Sequence, residues 1–479
     1  MDWKINLRRL RSAAPTLPLA LLTAAAVSHC GADDVTNPMT GAGGETKCES
    51  DAPQSVDAHT EETSDAAKPT IDPVAQYALQ MIEEGRKTFR YDTFGDEAFW
   101  GDTLKLHRAI AGAAKGGVGP GVSPKTALAV GLKVDVDALP AAVIDALKQG
   151  KVDLDSVDTT LTLLQAKAVV GVTGVFDSNS TLVSMGIQCS LCHSTVDDAL
   201  APGIGRRLDG WANRDLDVGA IINLSPDLSA VTTLLGVPDA TVRSVLTGWG
   251  PGHFNAQLFL DGKALGPDGG AAEAAALIPP AFGLSGVNMA TYTGFGSSTY
   301  WNAFVANLEM HGKGTFVDSR LADASTFPVS SSAGFSNVRS TPDLITSKLP
   351  ALQFYQLAIP APAPPSGSFD ATAAGRGQAV FEGPAKCASC HVAPLFTEPG
   401  WNMHTGAEIG IDDFQSSRSP EKRYRTTPLR GLWTHQKGGF YHDGRFPTLN
   451  AVVEHYDVAQ SLSLTAAQKS DVVEYLKSL

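Results

Sequence analysis

Two copies of the pattern Cys-x-x-Cys-His constrain this 479-residue chain more than any other feature of its sequence. At this spacing two thiols can form thioethers with the two vinyl groups of a porphyrin, while the adjacent histidine coordinates the iron. A zinc site is the competing interpretation, because each copy also supplies two thiolates and an imidazole. Repetition of the full pattern favours haem, so we predict two covalently bound haem c groups. They would be attached at Cys189, Cys192 and His193, and at Cys387, Cys390 and His391.

The amino terminus has the pattern of an export signal. Basic residues within Lys4–Arg11 precede a short apolar run over Ala13–Val27 that ends in small residues. We therefore predict a signal peptide over residues 1–29 and a periplasmic location, where haem is attached to such motifs. A lipid anchor at Cys30 on the outer membrane is the alternative. No later stretch reaches the length of a membrane span, so none is predicted.

An acidic stretch follows the signal. Residues 30–72 are rich in Gly, Ser, Thr, Ala, Asp and Glu and contain almost no aliphatic side chains, which predicts a disordered linker. Ten acidic residues against two lysines in this stretch account for most of the net charge of −13. The rest of the chain is only mildly acidic and lacks the basic excess that a nucleic-acid partner requires.

Two stretches with a similar residue pattern predict two related units. Glu84–Phe89 and Ala374–Phe381 both resemble the opening helix of a cytochrome c domain. The second lies just before its haem motif, whereas the first lies about a hundred residues before its own. We therefore predict a mainly α protein with two cytochrome c-like haem domains. The first would span residues 73–359, with a long insertion over 90–188.

The second predicted domain covers residues 371–479 and follows a Pro-rich linker over 360–370. Near its end, Thr465 and Gln468 have the spacing of a capping box, and apolar residues follow on one helical face. This pattern predicts a last helix that packs across the opening helix of the same domain.

With these motifs the chain resembles the bacterial diheme cytochrome c peroxidase and MauG superfamily. The second half carries the resemblance in Tyr424–Arg430, Phe440–Arg445 and Val452–Tyr456. In the first half, the long spacing of the haem motifs and the pairs Tyr300-Trp301 and Thr315-Phe316 are similar to the haem-dependent rubber oxygenases of that superfamily. The resemblance implies an oxidoreductase that activates peroxide or dioxygen at the first haem with electrons from the second.

His193 and His391 are the predicted proximal iron ligands, and the resemblance implies what lies opposite each of them. For the second haem, Tyr456 matches the position of the family's distal ligand, and His455 and Met403 are the alternatives. For the first haem, no histidine follows the motif closely. An open iron is therefore favoured over one that a distant residue reaches.

The resemblance implies further catalytic residues. Trp301 matches a tryptophan that relays electrons between the haems, and Phe316 matches a phenylalanine of the oxygenases' distal pocket. Both would otherwise be ordinary core aromatics. A peroxidase also needs an acid–base group, and the glutamate expected after Trp301 is missing. His311, with Glu309 and Asp318, is the nearby substitute.

Charged residues complete the predicted haem environment. Arg206, Arg207 and Arg430 are candidates to pair with haem carboxylates, because a guanidinium matches a carboxylate in a bidentate fork. Solvated surface charge is the alternative for the first two. The resemblance also implies a calcium ion between the domains, although the asparagine it uses has no clear counterpart within Ile278–Gly283.

Three functions follow from these features. The leading one is a periplasmic diheme oxidoreductase that a small redox protein, either a cytochrome c or a cupredoxin, supplies with electrons. The second is a non-catalytic electron-transfer cytochrome in which both irons have two strong ligands. The third is a haem-dependent oxygenase that cleaves an organic substrate near Phe316 without external electrons.

Overall fold

The computed structural model describes residues 72–265, 274–435 and 437–479. The predicted signal peptide, Cys30 and almost all of the predicted acidic linker lie outside these ranges. Among the described residues, helix is far more extensive than strand and the strands are short, which confirms the mainly α class. Within the described ranges, none of the helices combines the length and apolar character needed to cross a lipid bilayer.

The helices, labelled α1 to α17 in chain order within the described residues, are mostly short. Their bounds are Pro73–Tyr91, Leu106–Ala111, Pro124–Ala129, Ala141–Lys148, Val157–Gln165, Ser190–His193, Val218–Asn223, Ser229–Leu235, Asp239–Trp249, Leu258–Asp261, Ser298–Phe304, Pro328–Ala333, Leu349–Ala358, Ala371–Glu382, Gly406–Ile409, Leu449–Ala459 and Ala466–Ser478. Single 3-10 turns lie at Ala113–Lys115, Val136–Ala138, Lys263–Leu265, Ser319–Ala322, Thr346–Lys348, Cys387–Ser389, Ser416–Arg418 and Leu432–Thr434. Two π-helical turns cover Ala98–Thr103 and Val305–Glu309.

The described strands form two-stranded pairs. Labelled β1 to β10, they are Val134–Asp135, Val172–Phe176, Leu182–Ile187, Ser194–Val196, Ile204–Gly205, Arg207–Asp209, His253–Phe254, Ala276–Leu277, Thr315–Val317 and Asn337–Arg339. Strands β1 and β5 are parallel, whereas β2 with β3, β4 with β6, β7 with β8 and β9 with β10 are antiparallel. Pairs this small act as clips between loops and do not build a layer of their own.

A close helix crossing organises the first half of the molecule (residues 72–359). Helix α1 crosses α13 at Gly85, where a Cβ atom would lie 1.9 Å from the carbonyl oxygen of Ala351. Only glycine permits this approach, because any side chain would meet backbone. One turn further on, Phe89 is completely buried, and its ring lies 5.6 Å from the ring of Tyr355.

The second half (residues 371–479) repeats this crossing. Helix α14 meets α17 at Gly377, where a Cβ atom would lie 1.9 Å from the carbonyl oxygen of Asp471. Phe381 lies one turn further on, 5.2 Å from the ring of Tyr475. By contrast, Gly375 faces open space. The two crossings therefore use glycine, phenylalanine and tyrosine in the same order, and helix α17 begins with the predicted capping box after Thr465.

The long chain segment between helix α1 and the first haem motif starts and ends at the same place, the end of α1. The hydroxyl of Ser190 donates to the carbonyl oxygen of Arg90 at 3.5 Å. Leu191, between the two cysteines of the motif, belongs to the largest apolar cluster, and Gly171 lies directly against it. The first haem motif is therefore anchored to the opening helix on one side and to this core on the other.

The two halves are locked together by a buried arginine. Arg418, from the second half, is completely buried within the first half. Its Nε and Nη2 donate to the carboxylate of Asp261 at 2.7 and 3.0 Å, and Nη2 also donates to Asn255 Oδ1 at 2.8 Å. Its Nη1 donates to the carbonyl oxygen of Ala274 at 2.7 Å. Four hydrogen bonds of the guanidinium thus go to the first half, and Gln415 Oε1 of the second half accepts a longer one at 3.4 Å, so the buried charge is well bound.

Candidate haem sites

The second haem motif follows directly after helix α14. Nδ1 of His391 donates to the carbonyl oxygen of Phe396 at 2.9 Å, because a carbonyl can only accept. This hydrogen bond leaves Nε2 as the nitrogen available to a metal. Burial lowers the pKa of His391, so its imidazole is neutral, as a ligand must be.

A cavity of about 580 Å³ opens beside this motif. That volume falls within the range of small-molecule and cofactor sites. Thiols lie at its edge and most of its wall is apolar, so the residues present fit a covalently attached porphyrin. Its wall includes Phe381, Cys387, Cys390, His391, Ile409, Leu429, Leu432, Leu449, Val452, Val453, Tyr456, Val472 and Leu476.

The structure separates the three candidate distal ligands of this haem. Tyr456, on helix α16, forms part of the cavity wall. The neighbouring His455 turns away, and its Nε2 bonds to the carbonyl oxygen of Ile409 at 2.8 Å. Met403 packs its sulfur against Gly294. Of the three, Tyr456 is the side chain that reaches the cavity.

Two arginines in the cavity wall were not identified from the sequence. Arg425 donates to the carbonyl oxygens of Thr291 and, at 2.7 Å, of Met289, and burial lowers its pKa to about 10. Arg214 comes from the first half, and its Nε has no partner among the described residues. A buried cation without a carboxylate is costly, so both guanidinium groups favour an anion in the cavity. Haem carboxylates would supply it.

The arginines that the sequence singled out lie elsewhere. Arg207 is bound to Asp135 at 3.0 Å, with both side chains almost completely buried. The side chain of Arg206 is 74% exposed. Arg430 donates to the carbonyl oxygen of Pro394 at 2.9 Å. Nη1 of Arg207 has no hydrogen-bond partner among the described residues, so its pairing with a haem carboxylate stays a prediction beside this structural ion pair.

The first haem motif has the same local design as the second. His193, at the end of helix α6, donates through Nδ1 to the carbonyl oxygen of Pro279 at 3.1 Å, which leaves Nε2 for a metal. Burial lowers the pKa of His193 to about 4 and raises those of Cys189 and Cys192 to about 12. All three side chains nevertheless retain some accessible surface.

A buried glutamate lies near this motif. Glu309 ends the π-helical turn Val305–Glu309, a kind of turn that is frequent at functional sites. Neither of its carboxylate oxygens has a hydrogen-bond partner among the described residues. Burial raises its pKa well above the ordinary value, which favours the uncharged acid. When ionised, Glu309 would raise the pKa of the Cys192 thiol, so the two side chains lie within electrostatic range of each other.

His311 lies on the same turn of chain. Its ring stacks on Phe99 with 3.6 Å between the centroids, and its buried Nε2 lacks a partner within the described ranges. Burial lowers its pKa to about 4. Between the two residues, Met310 packs into the apolar cluster that Cys189 touches. The third substitute, Asp318, is already bound by Arg320 at 2.8 Å.

Trp301 and Phe316 share one aromatic cluster. The ring of Trp301 stacks on Phe304 at 4.6 Å and lies 5.5 Å from Phe295, and Phe316 lies 5.8 Å from Phe304. Phe295 lies six residues after Met289. The carbonyl oxygen of Met289 accepts a hydrogen bond from Arg425, which lies in the wall of the second cavity. Trp301 therefore packs on Phe295, which lies three residues along the chain from Tyr292 in the wall of the second cavity.

Apart from the predicted iron ligands His193 and His391, one cluster of potential metal ligands occurs among the described residues. It consists of Cys390, Glu398 and His404, whose ligand atoms lie within 4.8 Å of one another. Calcium prefers oxygen ligands, and Cys390 belongs to the haem motif. This group therefore does not bear on the calcium ion that the resemblance implies.

Comparisons with known proteins show a distant likeness. No family model matches the chain. Over 122 residues it is 31% identical to the methylamine utilization protein MauG of Methylorubrum extorquens, across 22% of this chain and 34% of that protein. The chain thus matches about a third of the length of that curated relative.

Two solved structures are also similar over part of the chain. A MauG-like protein associated with microbial copper homeostasis is 20% identical over 28% of this chain and 56% of its own, with a TM-score of 0.23. The hydrazine synthase of Kuenenia stuttgartiensis is 24% identical over 30% of this chain and 58% of its own, with a TM-score of 0.20.

Removing the thiols of one motif is expected to remove one haem. The double variants Cys189→Ala/Cys192→Ala and Cys387→Ala/Cys390→Ala should each reduce the covalent haem content from two per chain to one, because no thioether can form. The ratio of haem to protein, measured by pyridine haemochrome absorbance after denaturation, reports this directly. Zinc in place of haem in the wild type would contradict the prediction, as would two covalent haems in either variant.

Proposed function

We propose that the protein is a periplasmic diheme oxidoreductase of the peroxidase and MauG kind, with peroxide or dioxygen as its oxidant. The contrast between the two haem sites carries this proposal. A potential protein ligand, Tyr456, reaches the cavity at the second motif. The unpartnered acid Glu309 lies near the first. Haem c supplies the redox chemistry when bound at both motifs, and an open iron at His193 would be the reactive one.

Glu309 is the residue that we assign to proton transfer. Reduction of peroxide moves a proton from one oxygen to the other, and a nearby carboxyl group accelerates this step. The Glu309 carboxyl is neutral, buried and free of competing hydrogen bonds among the described residues, so it can give and take back a proton without first breaking a contact. His311 is neutral as well and lies two residues further along the chain, where it can hold the oxidant or an ordered water.

Electron supply involves the other half of the molecule. We propose that Trp301 relays electrons between the sites, since Phe295 connects it to the segment beside the second cavity. Tyr456 would keep the second haem in an electron-transfer role. A haem iron whose two axial positions are both taken by protein ligands has no open position for the oxidant. A small cytochrome c or a cupredoxin would supply the electrons. Export by the signal peptide, with a lipid anchor at Cys30 as the alternative, would place the protein beside such donors.

Optical spectra of the purified holoprotein test the proposal. We expect one high-spin and one low-spin ferric haem, with the high-spin signal lost when peroxide is added and a reduced small redox protein oxidised in turnover. Two low-spin haems that do not respond to peroxide would favour the non-catalytic electron-transfer cytochrome. Oxygen uptake with an organic substrate and no electron donor would favour the oxygenase.

A further inference from the structure

We propose that Tyr441 is a positioning residue for the second haem site: its hydroxyl donates a hydrogen bond to the phenolic oxygen of Tyr456. This contact would orient the Tyr456 ring and set how strongly its oxygen donates charge to a metal. The inference rests on the proposed function, in which Tyr456 is the distal ligand of that haem. It adds a second tyrosine that does not itself bind the metal.

The two tyrosines face the same cavity. Both Tyr441 and Tyr456 belong to its wall, and their ring centroids lie 6.2 Å apart at an angle of 41°. They come from different elements, since Tyr456 lies on helix α16 and Tyr441 on the loop before it. At this separation two phenol rings bring their hydroxyl groups within reach of each other when both point into the cavity.

The Tyr441 ring is held in place by its neighbours. The ring of Phe446 lies edge-on at 4.7 Å, and that of His455 lies edge-on at 5.8 Å. His455 is itself tied to the carbonyl oxygen of Ile409. The backbone of Tyr441 has a φ of 69°, which is uncommon for a large side chain and persists only where the surroundings impose it. Tyr441 is therefore not free to turn its hydroxyl to another partner.

The hydroxyl of Tyr441 is buried and has no hydrogen-bond partner among the described residues. Buried hydroxyl groups in native proteins are nearly always paired, so a missing partner points to a contact that a small adjustment completes. The phenol of Tyr456 is the group that such an adjustment would bring within reach, because both rings face the same cavity and their centroids lie 6.2 Å apart.

This arrangement gives the sign of the expected effect. A phenolate that accepts a hydrogen bond donates less charge to iron, so the ferric form is stabilised less than by an unassisted phenolate. Loss of the hydrogen bond in Tyr441→Phe should therefore favour the ferric form. For a contact of ordinary strength the ratio of ferric to ferrous haem at fixed potential should rise about fivefold, which for one electron corresponds to about 40 mV towards lower potential.

Spectroelectrochemistry of the holoprotein tests the inference, with Tyr475→Phe as the matched control. Tyr475 lies in the same half, outside the cavity wall, and packs on Phe381. We expect Tyr441→Phe to lower the potential of the second haem and to shift its phenolate-to-iron charge-transfer band to longer wavelength, with both haems retained. Tyr475→Phe should change neither. In the wild type, the phenolate vibration in resonance Raman spectra should shift in D₂O, a result that needs no variant.

The possible outcomes separate the inference from the function on which it rests. If Tyr456→Phe abolishes the charge-transfer band but Tyr441→Phe leaves potential and band unchanged, the hydrogen bond is wrong and the ligand assignment stands. If Tyr441→Phe abolishes the band and Tyr456→Phe does not, Tyr441 is the ligand and the inference is overturned. If neither variant alters the second haem, the ligand assignment itself fails.

Discussion

Replacement of Glu309 by glutamine is expected to lower turnover with peroxide by about 10²- to 10⁴-fold, the usual contribution of a positioned acid–base group. Glutamine has the same shape as the neutral acid and is also uncharged, so the buried site should accept it. What it lacks is a transferable proton. Steady-state oxidation of a reduced small redox protein by peroxide measures the effect. Haem content and the ferric spectra should stay as in the wild type, because no described residue depends on Glu309 for a hydrogen bond.

The matched control is Glu83→Gln. Glu83 lies on helix α1 and is paired with Arg86 at the surface, where its side chain is 45% exposed. This variant should keep the wild-type rate, since exposed ion pairs have little effect. A Glu309→Gln variant that retains both haems and at least half of the wild-type rate would show that Glu309 is not the proton-transfer group. The acid role would then pass to His311, and His311→Phe should lower the rate.

Replacement of Arg418 by methionine is expected to destabilise the protein by about 3 to 5 kcal/mol, as for other buried ion pairs that lose one partner. The loss is large because the carboxylate of Asp261 would remain buried without its bidentate partner, and because Asn255 and the carbonyl oxygen of Ala274 would lose their donors. Because these contacts join the two halves, both halves should unfold at a lower urea concentration than in the wild type. Urea denaturation of the holoprotein, followed by both far-ultraviolet circular dichroism and haem absorbance, measures it.

A second arginine on the same half provides the control. Arg376 pairs with Asp471 at 2.6 Å, but its side chain is 59% exposed. Arg376→Met should therefore leave the urea midpoint of unfolding close to that of the wild type. The double variant Arg418→Met/Asp261→Leu should recover much of the lost stability, because it leaves no unpaired charge in the interior. Equal effects of Arg418→Met and Arg376→Met would contradict the assigned role of the buried pair.

The haem motifs, the mainly α class and the last helix could be predicted because their signals are local. Thioether attachment needs two cysteines and a histidine within five residues, and a capping box needs two residues three apart, as at Thr465 and Gln468. Tyr456 could also be suggested as a ligand, because its spacing from the preceding motifs matches the family's distal ligand. The structure puts this residue in the cavity wall.

Other features have no local signal. Arg418 and Asp261 are separated by 157 positions, and nothing in either segment indicates the other. The sequence could not indicate that the carboxylate of Glu309 lacks hydrogen-bond partners among the described residues. It suggested Glu309, His311 and Asp318 as equal candidates, and only the structure showed that Asp318 is already bound by Arg320. Arg214 reaches the second cavity from the first half, so it could not be assigned to that haem from its position in the chain.

The sequence by itself determined that the chain carries two Cys-x-x-Cys-His motifs, each with its own histidine, and it predicted haem at both because covalent attachment depends on residues that are adjacent in the chain. Only the tertiary structure distinguished the surroundings of the two motifs. It placed Tyr456 and Tyr441 on the cavity at His391, and it placed Glu309, without a hydrogen-bond partner among the described residues, within electrostatic range of Cys192 in the motif of His193. Burial and the choice of hydrogen-bond partners depend on contacts between residues distant in sequence, so they appear only once the chain has folded.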